Sequence, residues 1–384
     1  MIRILALMVL AFAANSWAAQ VTVDCAAGQS LNSALSKLDK HTPVTVSVNG
    51  SCSEYVHVTG FQGLTLKGMP GAALLQPTTS PGNLLNSVLL IESSSSVTVS
   101  GLNVQAATSL NSAIGIGHGS SDVRLRNVKI QGGGEGIAVF ENSQVSLAYV
   151  TAQDPGYTPL GVYDSSDVHV EHCVFEDTTG AGFHTGMDVG ASHVTMYSTT
   201  IRNMQVGVNV FGSGIVDLVD FTTYFPLGGP TDVVIESPAR TNLYGVSIAG
   251  GGSVNLSSAK LRITNPGQTY GGNTGGVFVS GGSSLTAGAN LFVSGSQGQG
   301  VFVTNNSHAD LDGSSITGSL HGGLVVVNQS SIAVGSAHPP TVVSGNATDV
   351  FCDARSLITG GANIGSATSV QCTNLLAGDT VPIP

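Results

Sequence analysis

Charged residues are scarce in this chain of 384 residues, and positive ones are the scarcest. The sequence has 12 Lys and Arg against 23 Asp and Glu, which gives a formal net charge of −11. Nucleic acids and anionic membranes are bound through positive charge, so we expect neither as a partner. A neutral glycan or a cationic ligand remains compatible with this charge.

Signatures of cofactor chemistry are absent as well. The sequence holds no HExxH, CxxC, GxSxG or phosphate-binding loop. These patterns mark common metal, redox, acyl-transfer and nucleotide sites, so we expect no cofactor and no metal. Aromatic residues are also few, at 5%, whereas 51 residues are glycine. That composition suits thin repeated layers with tight corners.

Long apolar runs are missing everywhere except at the N-terminus. Residues 4–14 are apolar and follow a positive charge at Arg3, and residues 16–18 place small side chains around a cleavage point. This is the pattern of a secretory signal peptide, residues 1–18, cleaved after Ala18. The run is shorter than the roughly 20 apolar residues that span a bilayer. We therefore predict a secreted protein, periplasmic, extracellular or on the cell surface, with no membrane span.

What the sequence does contain is one short pattern, written four times between residues 123 and 201. The copies VRLRNVKI, VSLAYVTA, VHVEHCVF and VTMYSTTI begin at Val123, Val145, Val168 and Val194. Apolar residues stand at offsets 0, 2, 5 and 7, except that the fourth copy has Thr199 at offset 5, and this spacing predicts two strands separated by a bend. A unit this short cannot bury its own apolar face and must stack on its neighbours.

A third strand follows each copy and usually begins with glycine, as in GIAVF from Gly136 and GVFVT from Gly300. Further copies of the first pattern begin at Val216, Val254, Leu285, Ala309 and Ile332. Three strands per turn predict an all-β fold, a single right-handed parallel β-helix with about 22–26 residues per coil. We expect it to be a monomer that occupies residues 19–384.

The ends of a solenoid need covers, because the first and last coils would otherwise expose apolar edges. Residues 30–37 predict a short amphipathic helix with Ser30 as its N-cap. We place an N-terminal cap at about 19–43 and a C-terminal cap at about 345–384.

One gap between successive copies is too long for a single coil. It runs for 38 residues, from Val216 to Val254. We predict an insertion at about 223–242, where three prolines oppose regular pairing. Long loops on rigid scaffolds often carry binding function.

Five cysteines fit an oxidising compartment. We expect disulfides within each end, Cys25 with Cys52 and Cys352 with Cys372, although four cysteines allow three connectivities. Cys173 takes offset 5 of its copy, an inward position, and is predicted to be a small core residue.

With these features the chain resembles the pectate lyase-like superfamily of right-handed parallel β-helix proteins. The similarity is greatest to bacterial exported β-helix repeat proteins. It includes the segments VDCAAGQSLNSALSKL and VNGSCSEYVHVTGFQGLTLKG and covers nearly all of residues 19–384. The resemblance implies a fold but no single activity, because function on such scaffolds lies in local sites.

Enzyme motifs of that superfamily are incomplete here. Gly117-His118-Gly119 resembles the Gly-His-Gly element of polygalacturonase-like hydrolases, which would imply a catalytic-site role for His118. The Asn-Thr-Asp, Asp-Asp and Arg-Ile-Lys elements that accompany it in those enzymes are absent. This favours a chance match in a glycine-rich chain.

Alignment of the third strands turns one aromatic side chain of several coils outward. The outward residues are Phe140, Tyr163 and Phe211, with Phe278 and Phe302 farther along. Coils lie about 4.8 Å apart, so we expect a broken aromatic ladder down one sheet. Aromatic rings that face solvent in a row can stack on sugar rings.

Polar residues accompany this ladder at the strand ends. Carboxyl pairs at a suitable separation act as acid and base on a glycosidic bond. We predict catalytic roles for Asp164, Asp188 and His184, and substrate binding by Phe140, Glu141, Tyr163, Phe211 and His118. Loop tips that would rim the same corner are Glu135, Asp154, Tyr157, Glu176 and Asp177.

Two functions remain open. The first is an exported carbohydrate-interacting protein that binds a polysaccharide or glycan and, if it is an enzyme, cleaves it as a glycoside hydrolase or lyase. The alternative is a non-catalytic cell-surface module, an adhesin-like structural solenoid. An insertion packed over Phe140, Tyr163 and Phe211 would hide the ladder, whereas one standing off them would form a wall of a cleft.

Overall fold

The computed structural model describes residues 19–78, 87–179, 184–219, 232–236, 243–265, 274–334, 340–360, 364–365 and 367–373. The predicted signal peptide, residues 1–18, lies outside these ranges. Within them the regular structure is almost entirely β-strand, with one α-helix, Leu31–Leu35, and 3-10 turns at Cys25–Ala27 and Gly288–Asn290. None of the helices described is long and apolar enough to cross a membrane.

The strands form three long parallel sheets, named here in the order in which each coil meets them. The first sheet has 14 strands: Ala19–Asp24, Val44–Asn49, Leu64–Gly68, Thr98–Ser100, Val123–Arg126, Gln144–Ala148, Asp167–Glu171, His193–Tyr197, Ile215–Leu218, Ser253–Leu256, Ser284–Thr286, His308–Asp310, Ser331–Ala333 and Leu357–Thr359. The second has 13: Ser51–Ser53, Ala73–Leu75, Asn103–Gln105, Lys129–Gln131, Thr151–Gln153, Val174–Glu176, Thr200–Arg202, Val233–Glu236, Leu261–Thr264, Leu291–Ser294, Ser315–Thr317, Thr341–Ser344 and Ile364–Gly365. The third has 13: Val56–Thr59, Ser87–Glu92, Ser112–Gly117, Glu135–Val139, Thr158–Val162, Thr185–Gly190, Val206–Phe211, Tyr244–Ile248, Gly275–Val279, Gln299–Val303, Gly322–Val326, Thr348–Cys352 and Val370–Cys372.

The register of the first sheet follows the sequence repeat. Val123 pairs with Val145, Val145 with Val168, and Val168 with Val194. The later copies from Val216 to Ile332 continue the same column. These side chains are buried in one core that runs the length of the solenoid. The predicted parallel β-helix is confirmed.

The corner between the first and second sheets is a single residue in the left-handed conformation. On five successive coils it is Gly101, Asn127, Tyr149, His172 and Ser198, with φ between 46° and 64°. The chain turns at this single residue, and side chains that face the core occur both before and after it. This is the bend that the break in the apolar alternation predicts.

The corner before the third sheet depends on glycine. A Cβ at Gly136 would lie 3.3 Å from the Cβ of buried Ala152, and one at Gly186 would lie 2.3 Å from Ile201 Cγ2. Both positions therefore face the core, and so does the residue after each. Two consecutive inward positions break the alternation, which turns the residue before the glycine, such as Glu135, outward.

The N-terminal end is closed by the predicted helix and by a disulfide. The Ser30 side chain accepts a hydrogen bond from Ser33 N and caps the helix, and Leu31 and Leu35 are buried. The Glu54 carboxylate also accepts from the Leu31 and Asn32 amides at this helix start.

The cysteines pair as the sequence predicts. Disulfides join Cys25 to Cys52 and Cys352 to Cys372. Cys173 is a free thiol and is buried in the core.

The segments predicted to be an insertion and a C-terminal cap contain regular strands in their described parts. Val233–Glu236, inside the expected insertion 223–242, is a strand that pairs with Thr200–Arg202 and with Leu261–Thr264. Residues 223–231 and 237–242 of that range lie outside the described residues. The expected C-terminal cap, 345–384, likewise contains regular strands as far as Cys372.

Candidate functional site

The outer face of the third sheet carries the polar residues that the fold brings together. One outward column contains small residues on three successive coils, Gly115, Ala138 and Gly161. On the next two coils the same column is polar, because Gly161 pairs with Asp188 and Asp188 pairs with Asn209. The small residues leave a depression that the larger side chains around them enclose.

This depression is a groove of about 390 Å³. Its lining includes Glu92, His118, Glu135, Ala138, Phe140 and Tyr163. We call it the Glu135 groove. It crosses neighbouring coils, so its long direction follows the stacking of the solenoid.

Glu135 has the most perturbed carboxyl group of the groove. The pKa of Glu135 is raised to about 7, chiefly by burial; the hydrogen bond from Tyr163 opposes this shift, and the nearby Asp188 charge adds to it. That hydrogen bond runs from the Tyr163 hydroxyl to Glu135 Oε1 and is 2.8 Å long. Glu135 therefore holds a proton over part of the neutral pH range.

Asp188 is the second carboxyl group of this cluster. Burial also raises the pKa of Asp188, and a hydrogen bond donated by Asn209 Nδ2 to Asp188 Oδ1, 2.9 Å long, opposes the shift. Glu135 and Asp188 approach Gly161 from opposite sides. The strand of Asp188 pairs with Gly161, and Glu135 Oε1 lies 2.9 Å from the place that a Cβ of Gly161 would take.

His118 joins two further carboxylates at the rim of the groove. Its Nε2 lies 3.0 Å from Glu92 Oε1, and its Nδ1 contacts Glu141 Oε2. The His118 imidazole therefore links the coil before its own, through Glu92, to the coil after it, through Glu141. Its ring also meets the Phe140 ring edge-on, with 6.2 Å between centroids.

The predicted outward aromatic residues pack over glycines, and Phe211 remains 37% exposed. A Cβ at Gly117 would lie 2.1 Å from the Phe140 ring, and one at Gly190 would lie 2.7 Å from the Phe211 ring. Tyr163 covers Gly161 in the same way. The rings thus form a smooth apolar surface beside the carboxyl groups.

The expectation of one aromatic ladder needs correction. Phe278 and Phe302 pair with each other in the column of Asp188 and Asn209, two residues away from the column of Phe211. A second aromatic group therefore continues toward the C-terminal end, with Tyr244 stacked on Phe278 at 4.8 Å. The aromatic residue occupies a different position within its strand in these later coils. The spacing of the aromatic residues in the sequence does not reveal this difference.

The residues predicted as catalytic lie in different places. Asp188 belongs to the Glu135 cluster. Asp164 is exposed in a turn after Tyr163, with φ of 57°. His184 precedes the strand of Asp188, and its Nε2 lies 3.8 Å from Asp177 Oδ2 in the corner before the third sheet. Catalytic roles for Asp164 and His184 stay predictions.

The residues predicted to bind substrate are closer together. His118, Phe140 and Tyr163 line the groove, and Glu141 contacts His118 at its rim. Phe211 lies next to Tyr163, with 6.5 Å between ring centroids. The insertion residues 223–231 and 237–242, which would cover or flank these rings, are outside the described residues.

The sequence did not predict the roles of three residues of this site. Glu135 was expected at a loop tip, and Glu92 and Asn209 were not singled out. A register signal exists for Asn209, because it stands one residue before inward Val210 in VGVNVF, as Asp188 stands before Val189.

Cysteine, histidine and carboxylate groups come close enough for a metal at one place in the described ranges, Cys25, Cys52 and Glu54. Its two sulfur atoms are joined in a disulfide, so it does not fit a metal site.

Comparison with known proteins identifies the fold. A family model described as a right-handed β-helix region matches residues 82–223. No curated protein sequence matches the chain closely enough to be a relative.

Among solved structures, the catalytic domain of a GH87 α-1,3-glucanase in complex with tetrasaccharides matches with a TM-score of 0.58 and 12% identity. The match covers 91% of this chain and 68% of the glucanase domain. Tailspike protein 3 of bacteriophage CBA120 gives a TM-score of 0.45 at 12% identity, over 88% of this chain and 57% of the tailspike. PfbA, a surface adhesin of Streptococcus pneumoniae, gives 0.37 at 12% identity, over 86% of this chain and 84% of the adhesin. At 12% identity, the match to the glucanase domain shows a shared fold alone. The three parallel sheets and the family match over residues 82–223 together show that the chain has a right-handed parallel β-helix fold.

Proposed function

We propose that this protein is exported, binds a neutral polysaccharide in the Glu135 groove and hydrolyses a glycosidic bond there. One observation carries the proposal. Glu135 and Asp188, two carboxyl groups with raised pKa values, lie near enough that the Asp188 charge raises the pKa of Glu135, and Glu135 contacts the Tyr163 hydroxyl beside Gly161. A protonated carboxyl group next to an ionisable one is the pair that glycoside hydrolysis needs.

The hydrogen bonds support a distinct role for each carboxyl group. Tyr163 occupies Glu135 Oε1, which leaves Oε2 to carry the proton and give it to the oxygen of the leaving sugar. Asn209 occupies Asp188 Oδ1, which leaves Oδ2 to accept a proton from the attacking water. The bond between the anomeric carbon and the leaving oxygen breaks while the bond to the water oxygen forms. Glu135 ends as a carboxylate and Asp188 as an acid, and exchange with solvent restores both.

The charge of the groove supports a neutral substrate. Glu92 and Glu135 line the groove, Glu141 contacts His118 at its rim, and Asp188 lies near enough to Glu135 to raise its pKa, whereas His118 is the basic residue of the lining. These negative charges would repel an anionic polymer that entered the groove. The glucanase domain that shares the fold was solved with tetrasaccharides, which makes glucans a first class of substrate to test.

A second candidate is a non-catalytic glycan-binding surface module. It is supported by the second aromatic group, in which Phe278 and Phe302 lie 5.6 Å apart on the same sheet, several coils beyond the carboxyl groups. A surface that long suits adhesion to a polymer whether or not a bond is cleaved.

The test is a screen of the purified protein against α-1,3-glucan, β-1,3-glucan and polygalacturonate, following binding, new reducing ends and unsaturated products. The proposal expects reducing ends from a neutral glucan, a loss of at least a hundredfold in Glu135→Gln and Asp188→Asn, and little change in Asp164→Asn. Thermal melting of each variant shows whether it is folded.

Other outcomes decide against hydrolysis in this groove. Unsaturated products would indicate a lyase. If Asp164→Asn loses turnover and Glu135→Gln keeps it, the catalytic site would instead lie at the turn that contains Asp164. Binding without turnover would leave the non-catalytic module.

A further inference from the structure

A second surface lies at the corner between the first and second sheets, away from the Glu135 groove. Asn127, Tyr149, His172 and Ser198 occupy this corner on four successive coils, with φ of 51°, 55°, 51° and 46°. Asparagine tolerates the left-handed conformation, whereas a bulky side chain there is strained. Strain of this kind is kept where the surrounding structure enforces it, and it concentrates at functional sites.

The two strained residues form a stack. The Tyr149 and His172 rings are 4.9 Å apart and within 10° of parallel. Ser198 Oγ lies 2.8 Å from His172 Nδ1, and the Tyr197 ring packs edge-on against His172 at 5.5 Å. His172 is therefore fixed from two sides and supports one face of Tyr149.

Tyr197, in turn, is anchored. Its hydroxyl donates a hydrogen bond to Glu171 Oε2. Burial, followed by the bond to Glu171, raises the pKa of Tyr197, so the phenol stays protonated and keeps this bond.

The outer part of the stack faces solvent. Tyr149 is 56% exposed, although it is a large aromatic residue. Its other neighbour along the corner is the short, exposed Asn127. A rigid aromatic ring with an accessible face is a platform for stacking a flat or puckered ring.

Positive charge flanks this platform. Arg126 pairs with Ala148, the residue before Tyr149, and Lys129 pairs with Thr151, two residues after it. Both are exposed, and within the described ranges neither has a carboxylate close enough for an ion pair. With Arg124, which pairs with Asp122 at 2.7 Å, one coil carries three of the chain's 12 Lys and Arg.

We propose that Tyr149, His172, Arg126 and Lys129 form a binding site for an anionic sugar unit of a glycan. The sugar ring stacks on Tyr149, and its carboxylate or sulfate group binds the Arg126 guanidinium and the Lys129 ammonium. We call this the Tyr149 platform. Its charge is opposite to that of the Glu135 groove, so the two surfaces select different sugars. Nucleic acid fits less well, because single strands are tracked by an extended cationic groove and this chain has a net charge of −11.

The experiment measures binding of the purified protein by calorimetry to four probes. They are an oligogalacturonate, a heparin-derived oligosaccharide, maltohexaose and a deoxythymidylate oligomer. The first two separate a carboxylate from a sulfate ligand. We expect binding to at least one of them, weakening with added salt, and little or none to the deoxythymidylate oligomer. Any binding of maltohexaose belongs to the Glu135 groove and should be the same in Tyr149→Asn as in the parent.

Tyr149→Asn separates a functional role from a structural one. Asparagine is compatible with the left-handed corner, so we expect an unchanged or higher Tm together with roughly tenfold weaker binding, from the loss of aromatic stacking. Arg126→Ser is expected to weaken binding by roughly threefold to tenfold. Matched controls are Tyr157→Asn and Arg355→Ser, which change an exposed residue of the same type elsewhere.

Several results would overturn the proposal. They are no binding to either anionic glycan, maltohexaose binding that Tyr149→Asn weakens as much as binding of the anionic glycan, tighter binding to the deoxythymidylate oligomer, or a folded Tyr149→Asn protein that binds the anionic glycan as well as the parent. A Tyr149→Asn protein with a lower Tm and unchanged binding would make the stack purely structural. Glu135→Gln should leave this binding intact, so the failure of one surface does not imply the failure of the other.

Discussion

Tyr163 donates a hydrogen bond of 2.8 Å to Glu135, which lies one coil away. The contact passes over Gly161, since the Tyr163 hydroxyl lies 2.7 Å and Glu135 Oε1 2.9 Å from the place that a Cβ of Gly161 would take. Burial raises the pKa of Tyr163, followed by the charges of Glu135 and Asp188. The phenol therefore stays protonated and holds one oxygen of Glu135 in place.

Gly161→Ala tests this arrangement. The added methyl group would be too close to Tyr163 and Glu135, so the hydrogen bond should break or lengthen. We expect a loss of stability of about 1–3 kcal/mol, as for other overpacked sites. The proposed hydrolysis should fall more than the fraction of folded protein does. Chemical denaturation and a turnover assay measure the two effects.

Gly190→Ala is the matched control, because its Cβ would lie 2.7 Å from the Phe211 ring but has no carboxylate among its nearest neighbours. It should cost similar stability and leave the pH dependence of the groove unchanged. If both variants lose turnover equally, Gly161 has no special part in placing Glu135.

Glu135 should make the stability of the protein depend on pH. Its pKa is raised from 4.5 to about 7, with burial as the largest cause. A raised pKa stabilises the fold fully below pH 4.5, and this contribution is lost as pH rises through about 7. Each pKa unit corresponds to about 1.4 kcal/mol, so the change amounts to a few kcal/mol at most.

Glu135→Gln should remove this dependence. Denaturation at a series of pH values between 4 and 8 measures it, with Glu141→Gln as a control on the more exposed Glu141. Proposed turnover should fall above pH 7 in the parent, because the acid loses its proton. A parent and Glu135→Gln protein with the same pH slope would show that Glu135 titrates normally.

The fold could be predicted because its physical cause is written in the repeat. Val123, Val145, Val168 and Val194 must share one column if short amphipathic strands are to be buried, and they do. The end disulfides follow from the grouping of cysteines at the two ends of a rigid rod, where nearby residues meet.

The candidate site could be predicted only in part. Glu135 has the alternation of an inward residue, two positions before Ile137, yet Gly136 takes an inward place and shifts the phase. The spacing of apolar residues does not reveal two consecutive inward positions. The columns of Phe211 and Phe278 differ for a related reason, since their offset within the strand becomes visible only through the pairing of Asn209 and Ser247.

The two disulfides should stabilise the ends rather than the whole rod. Each closes a loop of moderate length, with sequence separations of 27 and 20 residues, which corresponds to about 3 kcal/mol in the chain-entropy account. Replacing Cys352 and Cys372 by alanine should speed hydrogen exchange in the last coils, such as Thr348–Cys352. The strand Glu135–Val139 should be unaffected, because coils contact their neighbours. Faster exchange throughout the chain would instead show that the solenoid unfolds as one cooperative unit.

Cys173 should be unreactive until the solenoid opens. The thiol is 1% exposed, its Sγ lies 3.2 Å from the Glu171 carbonyl oxygen, and burial raises its pKa to about 12. Almost no thiolate is then present at pH 8, and a reagent cannot reach the sulfur. A disulfide-exchange reagent should label no thiol in the native protein and one thiol per chain in denaturant. Thr286→Cys, on an exposed position of the first sheet, supplies the matched control and should react at once. Rapid labelling of native Cys173 would mean that the coils around it open readily, and this would also weaken the case for a rigid Tyr149 platform, since His172 adjoins this cysteine.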